Sequence, residues 1–286
     1  MAILFDNTII GTNLTAATFR AWCTFIHNSF LLGFVATADT GQLNLTTVAA
    51  PTSTQQVMGY KVYRSNDALT PVYVKVEFAS GSSIVYPSIW VSMSLGTNGD
   101  GTLINPLLLT RTQLATSSSD AVTPQVCLAS GATDRVCFAL FLSVISMPLW
   151  FSLERRKDAN IANADTGLIV DWGSSFSSTH SLCIPFTGVI PTPELGMQFI
   201  LSTNNPAAYG AVIPEGLRIP CLGPSEPPGR NLAVCAAGDY GVFAQPSLTI
   251  NVTTHVFKHC GAFVNTLRGG STAAADPNTR LLMRYE

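Results

Sequence analysis

The chain has 286 residues, with 11% charged residues, 47% hydrophobic residues and a formal net charge of -2. That length is enough for one large core or two smaller ones, but an average soluble domain carries about 25% charged residues, so a free monomer of this composition has little repulsion to keep copies apart. The near-neutral balance, with no basic stripe to neutralise phosphates, argues against nucleic acid as a partner.

Two explanations remain for a mean hydropathy of +0.31: a membrane protein, or a surface covered by partners. The chain starts MAILFDNTII, with Asp6 and no basic residue ahead of the apolar stretch. That is not the pattern of a secretory signal. Between Asn13 and Leu32, Phe19, Trp22, Cys23, Ile26 and Phe30 recur at spacings that place them on one helical face. Thr15 or Asn13 suits the start of this amphipathic helix and Gly33 its end. The stripe reads as a face packed on a β core, with His27 off it, facing solvent or bonded locally. Thr37–Gly41 then reads as a turn, Gln42–Ala49 as a strand and Pro51–Gln55 as a polar loop.

Gly59–Leu103 is the most strongly patterned stretch. Val72, Val74, Val76 and Phe78 alternate with Tyr73, Lys75 and Glu77. Ile89, Val91, Met93 and Leu95 alternate with Trp90, Ser92 and Ser94. Period-2 alternation predicts half-buried antiparallel strands, because successive side chains point to opposite faces. Thr97-Asn98-Gly99-Asp100-Gly101 supplies residues that tolerate positive φ and lets the chain reverse.

Val136–Leu153 runs 18 residues without a charge, which meets the length of a spanning helix. Pro148, Ser143, Ser146 and Ser152 argue against one. Two buried strands, Val136–Ile145 and Leu149–Arg155, fit better, so no membrane insertion is expected and partner coverage is favoured. Arg155-Arg156-Lys157 then marks a strand end. Gly167–Trp172 predicts a further strand. A small polar stretch, Gly173–His180, is the best candidate boundary between residues 1–180, a helix plus β domain, and residues 181–286, a proline-rich β region that could belong to the same domain. Phe199–Leu201 and Ser247–Lys258 read as single strands, the latter from the alternation of Leu248, Ile250, Val252, Thr254 and Val256.

Seven cysteines (Cys23, Cys127, Cys137, Cys183, Cys221, Cys235, Cys260) form no CxxC pair. In apolar company they read as reduced core thiols. The sequons at Asn13, Asn44 and Asn251 carry little weight without a secretory route.

No constellation for chemistry emerges. His255 and His259 are four apart; on a strand that is about 13 Å, too far for one ion. Asn98 and Asp100 offer too few carboxylates for Ca²⁺. There is no HExxH, phosphate loop or GxSxG. No catalytic, metal or cofactor-binding residue is assigned, no cofactor is expected, and the chain is read as a non-enzyme.

The blocks FRAWCTFIHNSF, TADTGQLNLTTVAAP, GYKVYRSNDAL, PVYVKVEFASGSS, PSIWVSMSLGTNGDGTL, LWFSLERRKDAN and TGLIVDW, in this order from Phe19 to Trp172, resemble virion structural proteins of tailed bacteriophages, of the tail, tail-fibre or baseplate-associated kind. The cysteines, Cys23 and Cys137 among them, depart from that pattern, and the family offers no catalytic residues to transfer. The resemblance implies a virion component assembled in the bacterial cytoplasm, a closed homo-oligomer (trimer first, hexamer second) that also binds other virion proteins. The expected architecture is a mainly β, antiparallel, jelly-roll-like β-sandwich with one N-terminal amphipathic helix. Tyr73, Lys75, Trp90 and Ser92, on the polar strand face, are the expected subunit contact. A capsid decoration protein is an alternative. So is a receptor-binding protein that stacks host surface glycan on Trp90, Tyr86 or Tyr209.

Overall fold

The computed structural model describes residues 2–6, 14–66, 71–81, 87–106, 112–115, 127–140, 149–156, 167–173, 180–185, 233–237, 247–250, 253–262 and 279–284. These residues form one helix and sixteen strands, and every pairing among the strands is antiparallel. In chain order they are β1 (Ala2–Asp6), α1 (Ala16–Leu31), β2 (Val35–Ala36), β3 (Val57–Arg64), β4 (Tyr73–Ser80), β5 (Pro87–Thr97), β6 (Leu103–Pro106) and β7 (Thr112–Ala115). There follow β8 (Cys127–Ala132), β9 (Arg135–Leu140), β10 (Leu149–Arg156), β11 (Gly167–Gly173) and β12 (His180–Pro185). The last four are β13 (Ala233–Ala237), β14 (Ser247–Ile250), β15 (Thr253–Ala262) and β16 (Thr279–Arg284).

Helix α1 begins with a reciprocal cap. The Thr15 hydroxyl accepts the Thr18 N–H, and the Thr18 hydroxyl accepts the Thr15 N–H, so two otherwise unpaired donors are satisfied. Its buried side is wider than one stripe and comprises Phe19, Trp22, Cys23, Phe25, Ile26, Ser29 and Phe30. Chain reversal after Leu32 is followed by Gly33, which is buried against the β8–β9 turn. A Cβ at Gly33 would lie 1.9 Å from the Arg135 carbonyl oxygen, and one at Gly131 would lie 2.2 Å from Leu32 Cβ. Close backbone approach therefore selects glycine at both positions.

Three sheets form. One has the order β2-β3-β4-β5-β6, with β7 also on β5. Val74, Val76 and Phe78 of β4 and Ile89, Val91 and Met93 of β5 are buried on its helix-facing side, as their alternation predicts. The second has the order β1-β8-β9-β10-β11-β12. It gives Ala129, Val136, Phe138, Phe151 and Leu153 to the same hydrophobic cluster. Ser130 and Cys137 sit opposite each other in register on its other face and are also fully buried. The sheet is thus covered on both faces at that point. The third has the order β13-β16-β15-β14.

Two expected strands are corrected. Gln42–Ala49 is not a strand: Asn44 Oδ1 takes the Thr46 N–H and hydroxyl, and the Asn44 carbonyl takes the Thr47 and Val48 N–H groups. Local Asn bonding out-competes the extended ladder there. Ser247–Lys258 is not one strand but β14 and β15 paired with each other, Ile250 opposite Thr253 and Ser247 opposite Val256. In the sequence the alternation runs unbroken from Leu248 to Val256, so periodicity alone cannot see the division. The expected strand at Phe199–Leu201 lies outside the described residues, and no helix among those described is long and apolar enough to cross a membrane. The strand β12 pairs with β11 across the 173–180 stretch, Trp172 opposite His180.

The cluster converges on Phe30. Its ring stacks on Tyr63 of β3 at 4.7 Å and meets Phe138 and Phe151 of the second sheet at 6.0 Å and 5.7 Å. Phe30→Ala is expected to cost about 3–5 kcal/mol of stability through lost transfer energy plus a cavity, read as the shift of the chemical-denaturation midpoint. Thr24→Ala, on the exposed side of α1, should move that midpoint by no more than about 0.5 kcal/mol.

Candidate functional site

The face of the β2–β6 sheet turned away from α1 holds all four residues expected at a subunit contact. Lys75 lies in register between Val62 of β3 and Ser92 of β5. Tyr73 is opposite Arg64 and Ser94, and Glu77 is opposite Tyr60 and Trp90. Directly opposed residues share a face in an antiparallel pair, so Tyr73, Lys75, Trp90 and Ser92 come together. All four are half-buried.

Sequence patterning did not reveal the contribution of β3. Lys75 Nζ lies 4.5 Å from the centre of the Tyr60 ring, a cation–π contact. Tyr60 in turn anchors two loops. Its hydroxyl oxygen is 2.6 Å from the Thr40 carbonyl and 2.6 Å from the Asp100 carbonyl. The alternation of Tyr60 and Val62 in GYKVYR was the available signal. What fixes the pair under Lys75 is the register of β3 against β4, which no local pattern encodes.

The loop cluster at the end of this face is held together by side chains. Burial pushes the Asp39 carboxyl up, but the Thr37 and Thr97 hydroxyls and the Gly101 N–H outweigh it and hold Asp39 below the usual carboxylate range. The Thr102 N–H holds Asp100 down in the same way. Partial burial and the nearby carboxylates of Asp100 and Asp39 raise the Tyr60 phenol. Gly99 and Gly101 adopt positive φ, +84° and +79°, as the turn demands. No group of three or more His, Cys, Asp or Glu residues among the described residues could hold a metal ion. His255 and His259 both fall in β15.

The edge of β3 is closed by a side chain. Gln42 Oε1 accepts the Val62 N–H, and Gln42 Nε2 donates to the Thr37 and Asp39 carbonyls. The Thr37 N–H donates to the Val62 carbonyl and the Leu43 N–H to the Tyr60 carbonyl. Between them these groups occupy the ladder positions that a longer β2 would fill.

A second polar group lies between α1 and the same sheet. His27 is neither solvent-facing nor locally bonded: it is half-buried, with Nδ1 2.9 Å from the Tyr63 hydroxyl oxygen. Burial, and then the positive charge of Lys61, lower its pKa from 6.5. Burial pushes the Tyr63 phenol and the Cys23 thiol up, so both stay protonated at neutral pH. Cys23 and Cys137 are buried and not disulfide-bonded. A protonated, buried cysteine is a poor nucleophile, and this cluster reads as packing.

The neutral form of His27 is the one that folding favours. Stability is therefore fully present above about pH 6.5 and is lost as pH falls through the lowered folded value, because the unfolded chain binds the proton more readily. Denaturation midpoints between pH 8 and pH 5 should fall with acidity in the native protein. The slope should flatten in His27→Gln, while losses tied to Asp39 and Asp100 appear only below about pH 4.

No family model, no curated protein and no solved structure matches this chain.

Proposed function

We propose that this chain is a structural subunit of a bacteriophage virion, in the tail, baseplate or fibre-attachment region, and that it works through protein–protein assembly. The observation that carries the reading is the ordered set of blocks from Phe19 to Trp172 in a chain with 11% charged residues. Such a surface is poorly suited to life as a free monomer and well suited to cover by neighbours. The reading takes the protein as a closed homo-oligomer, a trimer before a hexamer, that also meets other virion proteins. It takes the architecture as a jelly-roll-like β-sandwich, for which the antiparallel pairing of the described strands is the support.

The contact surface is the sheet face with Tyr73, Lys75, Trp90 and Ser92. It is broad, rich in aromatic groups and carries Arg64 of β3 and, two positions apart on β4, Lys75 and Glu77. Aromatic residues are enriched at the cores of interfaces. Lys75→Glu removes the Tyr60 contact and places two carboxylates on neighbouring same-face positions of β4. It is expected to weaken self-association at least ten-fold with the fold retained, measured by sedimentation over a concentration series. An unchanged association constant would remove this face as the contact.

The wider reading is tested by quantitative proteomics and cryo-EM of the intact particle. Tens of copies per particle, placed in the tail, are the expected result. Hundreds of copies on the head would make it a decoration protein, and a stable monomer with no place in the particle would end the proposal. Specific signal on a glycan array would point instead to a receptor-binding role for the Trp90 face.

A further inference from the structure

The loop between β5 and β6 places glycine after two residues with a side-chain carbonyl: Gly99 after Asn98 and Gly101 after Asp100. In such a pair the glycine nitrogen can close a five-membered ring on the preceding side chain, because no Cβ obstructs it and the reaction is intramolecular. Asn98–Gly99 is the one Asn–Gly pair in the chain. The loop treats its two pairs differently.

Asp100–Gly101 is locked. Gly101 is buried, and a Cβ there would lie 2.3 Å from Tyr60 Cε2. Its N–H donates to Asp39 Oδ2 at 2.9 Å, and Asp100 Oδ1 accepts the Thr102 N–H. Asp100 is ionised at neutral pH, and a carboxylate carbon is a poor target for a nucleophile. Asn98–Gly99 is open. Both residues are exposed, and a Cβ at Gly99 would meet nothing within 4 Å. No hydrogen bond among the described residues uses the Asn98 side chain, so its amide can turn toward the backbone. One tie restrains the attacking nitrogen: the Gly99 N–H donates to the Thr97 hydroxyl at 3.1 Å. Thr97 is itself anchored on the Asp39 carboxylate.

We infer that Asn98 is a site of spontaneous covalent modification, deamidation through a cyclic imide, and that the Thr97 hydroxyl is its brake. The Gly99 nitrogen gives its proton to water and bonds to Asn98 Cγ. The Cγ–Nδ2 bond then breaks, and the amide nitrogen leaves as ammonia with a proton returned from water. A second water opens the imide at either carbonyl, leaving aspartate or isoaspartate at position 98. The net change is one water consumed and one ammonia released, with no oxidant or reductant. Either product adds a carboxylate beside those of Asp39 and Asp100. Isoaspartate also puts an extra methylene into the main chain between two anchored groups. The Asn98 N–H donates to the Thr102 carbonyl, and the Gly99 carbonyl accepts the Thr40 N–H at 2.8 Å. Both bonds fit the present spacing, so the insertion releases Thr40 and parts the two loops.

This inference is independent of the assembly role. The full native chain, Thr97→Val, Thr97→Ser and Asn98→Gln are held in warm neutral buffer for several weeks. Peptide mapping by mass spectrometry locates amide loss, and an isoaspartate-specific methyltransferase locates isoaspartate. In the native protein, loss is expected to concentrate at Asn98, with no isoaspartate at Asp100 and none at Asn44, an exposed asparagine whose Oδ1 is already bonded to the Thr46 N–H. Thr97→Val should deamidate at Asn98 roughly three- to ten-fold faster, which is what one net hydrogen bond is worth. Thr97→Ser, which keeps the hydroxyl, should hold the native rate, and circular dichroism checks that all variants fold. Asn98→Gln should lose the modification, because its longer side chain closes a less favourable ring. In the isoaspartate fraction the Thr40 amide should exchange its hydrogen faster than in fresh protein. An intact Asn98 in aged native protein, or loss spread evenly over the asparagines, would overturn the site. A Thr97→Val rate no higher than the native one would overturn the brake.

Discussion

One helix supplies the hydrophobic contact that two sheets share. The aromatic side of α1 reaches Phe78 of the β2–β6 sheet through Trp22, at 6.1 Å, and Phe138 and Phe151 of the β1–β12 sheet through Phe30. Neither sheet needs to bury its inner face against the other directly at these points. Interiors pack at near-crystalline density, and a shared wedge cannot move for one sheet without disturbing the other. A polar corner fixes the angle of that wedge. Asp134 accepts from the Asn66 backbone N–H and side-chain amide, and the Gly33 carbonyl accepts the Asp134 N–H and the Asn66 amide. Three chain segments, from the end of α1, the end of β3 and the β8–β9 turn, meet at one hydrogen-bonded point.

That corner explains the conformation of Asp134, which has a positive φ of 59° and is nearly fully buried. A buried carboxylate is tolerated only where hydrogen bonds replace water, and here two N–H donors do so. The interior is not saturated everywhere. Trp22 Nε1 and Ser130 Oγ are buried without a hydrogen-bond partner, each at a cost of about 1–3 kcal/mol. The aromatic packing around Trp22 offsets the first.

The parts legible in the sequence are those set by one local period. The stripe Phe19, Trp22, Cys23, Ile26 and Phe30 lies on the buried side of α1, and the alternation in β4 and β5 assigns each residue to its observed face. Thr15 and the Asn98–Gly101 turn were legible from capping and turn chemistry. What escaped depends on partners far along the chain. The bond from His27 to Tyr63 spans 36 residues, and the Asn66–Asp134 contact spans 68. Gln42 looked like a strand residue because it serves a strand, but with its side chain in place of its backbone. The division into β14 and β15 was hidden because the alternation of residue types runs on unbroken from one strand into the other. On the outer face of the β2–β6 sheet, Tyr73, Lys75, Trp90 and Ser92 were legible as one face, while Tyr60 beneath Lys75 required the register of β3.

The Gln42 amide has a consequence for how large an assembly can become. An open sheet edge is a template on which another chain can add a strand, and repeated addition has no natural end. On the β3 side that template is spent on Gln42, Thr37 and Leu43, and β2 beyond it is only two residues long. Growth by backbone pairing stops there after a single chain. Any contact made on this side is therefore a contact of side chains, and the addition of a further strand is blocked there by the chain itself.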